Sequence, residues 1–289
     1  GQATLRPSKS FDPVGDAATL KSCMVGLGTD EQPMIDILAH RTNSERQEIS
    51  SSYKTQFEQE LIDDLRNELS GDFESTLVAL LTPIADFLAT ELNALSGLET
   101  KEDHLIEMLC TRCNDEVVTI IEAYERYLTK TEREEDPADP EQAIIDAEAL
   151  QSNMKDLGTE NCALNSIMSS RSYDHLRMVF WEYKRLTGQS ILSAIDSELS
   201  GDLRAGMLSF VKCVENMPRY FAEKLHQAIQ GVGTDDQVLI RIVATRCEID
   251  MKKIKRQYQK LYQNSLEEAI VNDTSGNYRT LLVTLIEDM

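Results

Sequence analysis

Three short segments of this chain pair closely spaced backbone turns with a threonine. They are Met24-Val25-Gly26-Leu27-Gly28-Thr29-Asp30, Met154-Lys155-Asp156-Leu157-Gly158-Thr159-Glu160 and Ile229-Gln230-Gly231-Val232-Gly233-Thr234-Asp235. Forty residues after the last glycine of each comes an acid: Glu68, Glu198 and Asp273. Three residues further stands Gly71, Gly201 or Gly276. Glycines one residue apart let the backbone take positive φ and aim its carbonyls at one point. Carbonyl oxygens suit a hard cation, and calcium wants six to eight oxygens at about 2.3–2.6 Å in a tolerant geometry. A turn offers three such oxygens, and a carboxylate from a distant loop adds two more with negative charge. One copy alone would read as a helix C-cap beside an unrelated acid. Three copies at one offset point instead to a metal site. No Asp-x-Asp-x-Asp-Gly loop and no Gly-Lys-Ser/Thr is present, so this is neither an EF-hand nor a P-loop.

The charge balance bears on the partner. With 29 basic and 50 acidic residues the net charge is −21, which argues against nucleic acid. It also disfavours direct adhesion to an anionic membrane unless a cation lies between. A calcium ion with coordination positions left open supplies that cation, because a lipid phosphate oxygen can fill one of them. Val25, Leu27, Leu157 and Val232 stand at the tips of the turns, where dipping into the lipid interface and packing inward are both open to them.

The turns belong to a repeated frame. With Gly28, Glu99, Gly158 and Gly233 as anchors, an arginine follows thirteen residues on (Arg41, Arg112, Arg171, Arg246) and a tyrosine twelve beyond that (Tyr53, Tyr124, Tyr183, Tyr258). Apolar residues then recur every three to four positions, as in Ile35, Leu38, Ile49, Tyr53, Phe57 and in Leu239, Ile242, Ile254, Tyr258, Leu261. No useful strand alternation is present. The reading is all-α, with about five short helices per repeat that bury their apolar faces by packing on neighbouring repeats. The arginines suit helix C-terminal carbonyls, and the tyrosines suit inter-helix packing. The second copy, Leu95-Ser96-Gly97-Leu98-Glu99-Thr100, is weaker: the anchor spacings are 71, 59 and 75, and an acidic, Pro-punctuated stretch from Glu132 to Pro140 replaces the acid-bearing half.

Other classes find little support. No apolar run reaches the roughly 18 residues of a membrane span, and the first fifteen residues lack a signal-peptide core. Six cysteines in 289 residues do not form a disulfide framework, and Cys110-x-x-Cys113 without a second pair reads as helix core, so the expected compartment is the cytosol. His40, His104, His175 and His226 fall at unrelated offsets, with no recognisable nucleophilic grouping, so an enzyme is not expected. The competing reading is a helical-repeat scaffold for protein partners, in which the turns are only caps.

This pattern resembles the annexin family over about residues 12–289. The resemblance implies a curved all-α disc of four five-helix repeats whose convex face carries calcium and binds acidic phospholipid reversibly. The implied organisation is a short N-terminal segment (1–11), repeat one (12–83), a truncated repeat two (84–130), an acidic linker (131–140), repeat three (141–215) and repeat four (216–289). Carried over residue by residue, repeat one would bind calcium through the carbonyls of Met24, Gly26 and Gly28 and the Glu68 carboxylate. Repeat four would use Ile229, Gly231, Gly233 and Asp273. Repeat three would use Met154, Asp156, Gly158 and Glu198, weakened because Asp156 replaces a glycine. Repeat two, with Glu99 at the anchor, is expected to hold no principal site. A lesser site matches Thr29 with Glu31 and Thr234 with Asp236, and a minor one involves Glu74. Glu107, Arg112 and Arg241 match positions lining the family's polar centre and read as a buried ion-pair network. The shortened repeat has three readings: a natural form that repacks or self-associates through the exposed face, a chain lacking a segment its natural form carries, or a gap covered by the acidic linker. The expected protein is cytoplasmic, peripheral on acidic membranes in calcium, with a protein partner for the N-terminal segment and phosphorylation at Thr4, Ser8 or Ser10 as further expectations.

Overall fold

The computed structural model describes residues 2–25, 29–94, 107–108, 110–112, 116–117, 119–120, 138–153, 167–168, 170–230 and 233–287. Among these the chain forms helices and no strand. They are α1 (Pro13–Cys23), α2 (Glu31–Leu38), α3 (Asn43–Phe57), α4 (Leu61–Glu68), α5 (Gly71–Leu81), α6 (Ile84–Ala94), α7 (Pro140–Asn153), α8 (Tyr173–Thr187), α9 (Ile191–Glu198), α10 (Gly201–Gln230), α11 (Asp236–Arg246), α12 (Met251–Tyr262), α13 (Leu266–Asp273) and α14 (Gly276–Ile286). No helix among the described residues is long and apolar enough to cross a membrane. Helix α10 is interrupted at Asn216, whose φ of −159° and ψ of 86° are not helical, just before Pro218, where the missing N–H and fixed ring break the ladder.

Local chemistry sets the helix ends. Asp12 caps α1 by accepting from the Val14 and Gly15 amides, with Pro13 at the first position, where its absent N–H costs nothing. Thr42 and Glu45 form a reciprocal capping box on α3. The long third helix of each full repeat ends in a left-handed residue at the same register: Glu58, Gly188 and Gln263, with φ of 55°, 75° and 55°. Only the glycine takes that conformation without steric cost.

The chain divides into two compact units, residues 1–87 with 221–289, and residues 88–220. In the first, α1 packs on α2 and α3, and α5 on α3 and α4; α14 packs on α11 and α13. The two repeats of this unit also pack on each other, α5 lying against α11 and α14 against α2. Burial follows the apolar periodicity, with Leu20, Ile35, Leu38, Ile49, Leu239, Ile242, Ile254 and Leu281 all at 1% exposure or less. In the second unit α7 packs on α8 and α8 on α9 around Ala147, Leu150, Leu176, Val179, Ile195 and Val211. The repeated tyrosines Tyr53, Tyr183 and Tyr258 are buried, as packing residues should be.

The repeated arginines do more than serve helix carbonyls, although Arg41 Nη1 does donate to His40 O at 3.4 Å. Arg41 makes a forked pair with Asp16, Nε–Oδ2 2.7 Å and Nη2–Oδ1 3.3 Å. Arg171 does the same with Asp146, at 2.7 and 3.2 Å. Each aspartate lies 25 residues before its arginine. In the fourth repeat that register holds Phe221, and the Arg246 guanidinium sits over its ring at 4.8 Å while bonding Asp250. An aromatic face thus stands where the other repeats have the aspartate, and Asp250 supplies the carboxylate instead. Arg112 does follow the carbonyl pattern, donating to Met108 O at 2.7 Å. Glu107, Arg112 and Arg241 are each buried.

The N-terminal segment is part of the first unit. Thr4 is wholly buried, and its hydroxyl donates to Cys247 O at 2.8 Å and Leu285 O at 3.0 Å. The Thr4 and Leu5 amides also bond Cys247 O, and the Lys252 amide donates to Gln2 O. Phosphorylation at Thr4, one of the three expected positions, therefore requires this segment to leave its seat.

A polar knot ties α1 to α4. Lys21 Nζ lies 2.8 Å from Asp64 Oδ2, to which the Tyr53 hydroxyl also donates. Burial pushes the Asp64 carboxyl up, but the Lys21 and Tyr53 hydrogen bonds and the lysine charge outweigh it and hold it below the usual carboxylate range. A depressed carboxylate contributes stability that is present above its unfolded value, near pH 4, and is lost as pH falls through the folded value. Asp64→Asn should therefore cost roughly 1–2 kcal/mol at pH 7 and markedly less at the lowest pH where the protein still folds. Urea unfolding of both proteins across that range checks it, and a pH-independent difference would refute it.

Candidate calcium-binding turns

The remote acids occupy one repeated corner. Glu68, Glu198 and Asp273 are each the last residue of a helix, α4, α9 and α13, and each faces solvent. The next residue is extended in all three: Leu69 (φ −115°, ψ 171°), Leu199 (−104°, 161°) and Thr274 (−114°, 171°). After a serine, Gly71, Gly201 and Gly276 open the following helix at φ 72°, 58° and 60°. A Cβ at any of the three would meet no atom within 4 Å, so the requirement for glycine there is conformational and not one of space. This explains why the sequence keeps an acid, two linking residues and a glycine together: the corner needs the left-handed residue, and the corner carries the acid.

The partner turns are closed by equivalent hydrogen bonds. The Asp30 amide donates to Cys23 O at 3.1 Å, and the Asp235 amide to Ala228 O at 2.9 Å. Each bond draws together the end of one helix and the start of the next, on either side of the Gly-x-Gly-Thr stretch. Gly233 has φ 89°, the left-handed conformation expected of a turn glycine. Met24 and Ile229 are buried at the base of their loops, whereas Val25 at the tip is 69% exposed. Gly26, Gly28, Gly231, Leu27 and Val232 lie outside the described residues, as do Met154, Asp156, Gly158 and Leu157 of the third turn and Glu99 of the second.

Turn and acid meet in both repeats where the two are described. Thr29 Oγ1 donates to Glu68 Oε2 at 3.3 Å. Thr234 Oγ1 donates to Asp273 Oδ2 at 2.5 Å. The sequence pattern assigns a role to the threonine carbonyl only. In the structure the hydroxyl also acts, holding the acid at the mouth of the turn. In the third repeat Glu198 faces Tyr183: burial pushes that phenol up, and the nearby carboxylate adds to the shift.

The lesser acids differ between repeats. Asp236 accepts from the Tyr278 hydroxyl at 2.9 Å. Burial pushes its carboxyl up; the Tyr278 bond opposes that, while Asp72, Asp273 and Asp235 add to the rise. In the first repeat Glu31 has no such tie among the described residues, and Phe73 stands at the register of Tyr278. Neither Tyr278 nor Asp72 is legible in the sequence as a site neighbour, since Asp72 reaches this region from the other repeat of the unit. Glu74, on α5, is half-buried. No group of three or more His, Cys, Asp or Glu side chains suited to a metal occurs among the described residues.

Comparison with known proteins bears on the same turns. A family model described as Annexin matches residues 15–80, 145–210 and 220–285, the three stretches with the full turn-to-acid spacing. Annexin B10 of Drosophila melanogaster is 38% identical, covering 98% of this chain and 97% of the relative. That alignment runs over 311 positions, more than the 289 residues of this chain, so some of its gaps fall on this chain. Human annexin A7 is 37% identical, with 99% of this chain covering 64% of that protein, so the chain spans under two thirds of its length. Among solved structures, annexin III superposes with a TM-score of 0.95 at 36% identity, over 99% of this chain and 97% of that one. A calcium-bound annexin (Sm)1 superposes with a TM-score of 0.88 at 31% identity, over 98% and 92%.

Proposed function

Because this chain belongs to the annexins, a family of calcium-dependent phospholipid-binding proteins, we propose that it binds acidic membranes reversibly through calcium held in its Gly-x-Gly-Thr turns. The observation that carries this reading is the pair of threonine–acid bonds, Thr29 to Glu68 and Thr234 to Asp273, which close a gap of 39 residues at the same place in two repeats. In repeat one the ion would be held by the carbonyls of Met24, Gly26 and Gly28 with Glu68. In repeat four the ligands would be Ile229, Gly231, Gly233 and Asp273, and in repeat three Met154, Asp156, Gly158 and Glu198. Calcium supplies a positive centre with open coordination that a lipid phosphate oxygen can complete.

The chain's own contribution is to keep hard oxygens ready. Backbone bonds draw together the helix ends that flank each turn, and the exposed acids need only swing from a threonine hydroxyl to reach the metal. Thr29 with Glu31 forms a lesser site, since its acid is unoccupied by a neighbouring phenol. Its counterpart Asp236 must first give up Tyr278, so that site is the weaker of the two. The protein acts as a peripheral binding module of the cytoplasm and not as a catalyst.

Co-sedimentation with vesicles containing phosphatidylserine tests the reading. At physiological salt the protein pellets with the vesicles in calcium and stays in solution in chelator. Pelleting that is unchanged by chelator would favour a calcium-independent scaffold instead.

A further inference from the structure

The lesser acid of the fourth repeat is tied in a way that its first-repeat counterpart is not. Asp236 opens α11, and its Oδ1 accepts from the Tyr278 hydroxyl at 2.9 Å. Tyr278 is the third residue of α14 and is 9% exposed. Burial pushes the phenol up, and Asp236, Asp72 and Asp273 add to the rise, so it keeps its proton. It has one O–H and can serve one carboxylate at a time.

The neighbouring acids are unequal as alternative acceptors. Asp235 caps α11 through the Val238 amide, and Asp273 accepts from Thr234. Asp72 is exposed, and its carboxylate makes no hydrogen bond or ion pair among the described residues. It comes from the other repeat of the unit, as the second residue of α5, and α5 packs on both α11 and α14. Asp72, Asp236 and Tyr278 thus all stand in the first turn of helices that pack on one another. The charge of Asp72 reaches both Asp236 and the phenol.

The first repeat lacks both halves of this arrangement. At the registers of Asp236, Tyr278 and Asp72 the partner repeat has Glu31, Phe73 and Asn277. Phe73 is as buried as Tyr278, so packing at this register does not call for a hydroxyl. Donor and alternative acceptor are present together at one site and missing together at the other.

A carboxylate lone pair that accepts a phenol proton cannot also bind a cation, and a buried phenol left with no acceptor is costly. A cation can take Asp236 fully only if the phenol turns to another acceptor. We propose that Tyr278 is a gate on the lesser calcium site of the fourth repeat: its hydroxyl holds Asp236 when no ion is bound and passes to Asp72 of the first repeat when calcium arrives. The inference rests on the calcium reading of Thr234 with Asp236 and adds the residue that sets the threshold of that site. Tyr278 is a positioning residue that acts through Asp236.

Calorimetric calcium titration of the full chain, joined to NMR of its tyrosine ring carbons, tests the gate. The binding step lost in Asp236→Asn identifies the site. Tyr278→Phe, which copies the first repeat, should fill that step at roughly three- to tenfold less calcium. Asp72→Ala should need roughly three- to tenfold more, because the displaced phenol has no acceptor. The Tyr278 ring signal, assigned by its loss in Tyr278→Phe, should move during that step in the natural chain and stay still in Asp236→Asn. Urea unfolding in chelator controls for the fold. An unchanged or higher calcium requirement in Tyr278→Phe overturns the gate, and so does a Tyr278 signal that is still while the site fills. Asp72→Ala titrating like the natural chain overturns the hand-off between repeats. Calcium binding with no step that depends on Asp236 overturns the lesser site and the gate with it, and a chain that takes up no calcium overturns the calcium reading itself.

Discussion

Replacing Glu68 by Gln and Asp273 by Asn together should raise the calcium needed for half-maximal vesicle binding by roughly 10–100-fold or more, since losing even an indirect partner of a metal ligand costs that much. Both changes keep side-chain size and an oxygen that can still accept from Thr29 or Thr234, so the flanking helix ends and the corners stay as they are. What disappears is the negative charge, for which a divalent ion has no substitute among neutral carbonyls. Binding would then rest on the third repeat, whose turn carries Asp156 in place of a glycine. Each single variant should lie between wild type and the pair. The measurement is a calcium titration of vesicle co-sedimentation, with thermal unfolding in chelator as the fold control. An unchanged midpoint in the double variant would remove these acids from the binding mechanism.

Arg46→Ala should destabilise the protein by about 3–5 kcal/mol, the usual cost of stranding one partner of a buried ion pair. Arg46 is wholly buried, its Nε donating to Leu38 O at 2.8 Å and its Nη1 lying 3.5 Å from Glu248 Oε1. Glu248 in turn accepts from the Asn43 amide at 2.7 Å. Burial pushes the Glu248 carboxyl up, and Arg46 and the Asn43 amide counter it. Without the guanidinium that carboxylate stays desolvated beside Glu45. Arg46→Met with Glu248→Gln should recover most of the loss, because the amide oxygen still serves Asn43 and no charge is left unpaired. Urea unfolding monitored by helix signal decides it. A single-variant loss below about 1 kcal/mol, or a double variant no better than the single one, would show that the pair is not what joins these two repeats.

Much of this architecture is legible in the sequence because it is periodic. The 3.6-residue recurrence of Ile35, Leu38, Ile49 and Tyr53, repeated in Leu239, Ile242, Ile254 and Tyr258, marks helices that bury one face, and those residues are the core. The acid-to-glycine spacing is legible because a left-handed corner admits little besides glycine. The arginine register is visible too, and Arg41 and Arg112 do donate to backbone carbonyls, but the carboxylates that Arg41, Arg171 and Arg246 engage are not read from it. Arg41 and Arg171 pair with an aspartate 25 residues earlier, whereas Arg246 pairs with the nearby Asp250 under a phenylalanine ring, and a spacing of 25 residues between helices carries no local signal. The wholly buried Thr4 is likewise unreadable, since a polar residue near a chain end gives no hint of two backbone acceptors more than 200 residues away.

The linear order of residues determined the helical class and the repeat frame, because helices depend on neighbours a few positions apart and the frame on their recurrence. Tertiary structure alone decided which groups touch across long separations: the threonine hydroxyls holding Glu68 and Asp273, and Tyr278 engaging Asp236. Such contacts depend on how whole helices pack. Packing is set by the sum of many buried faces, and no single local pattern encodes it.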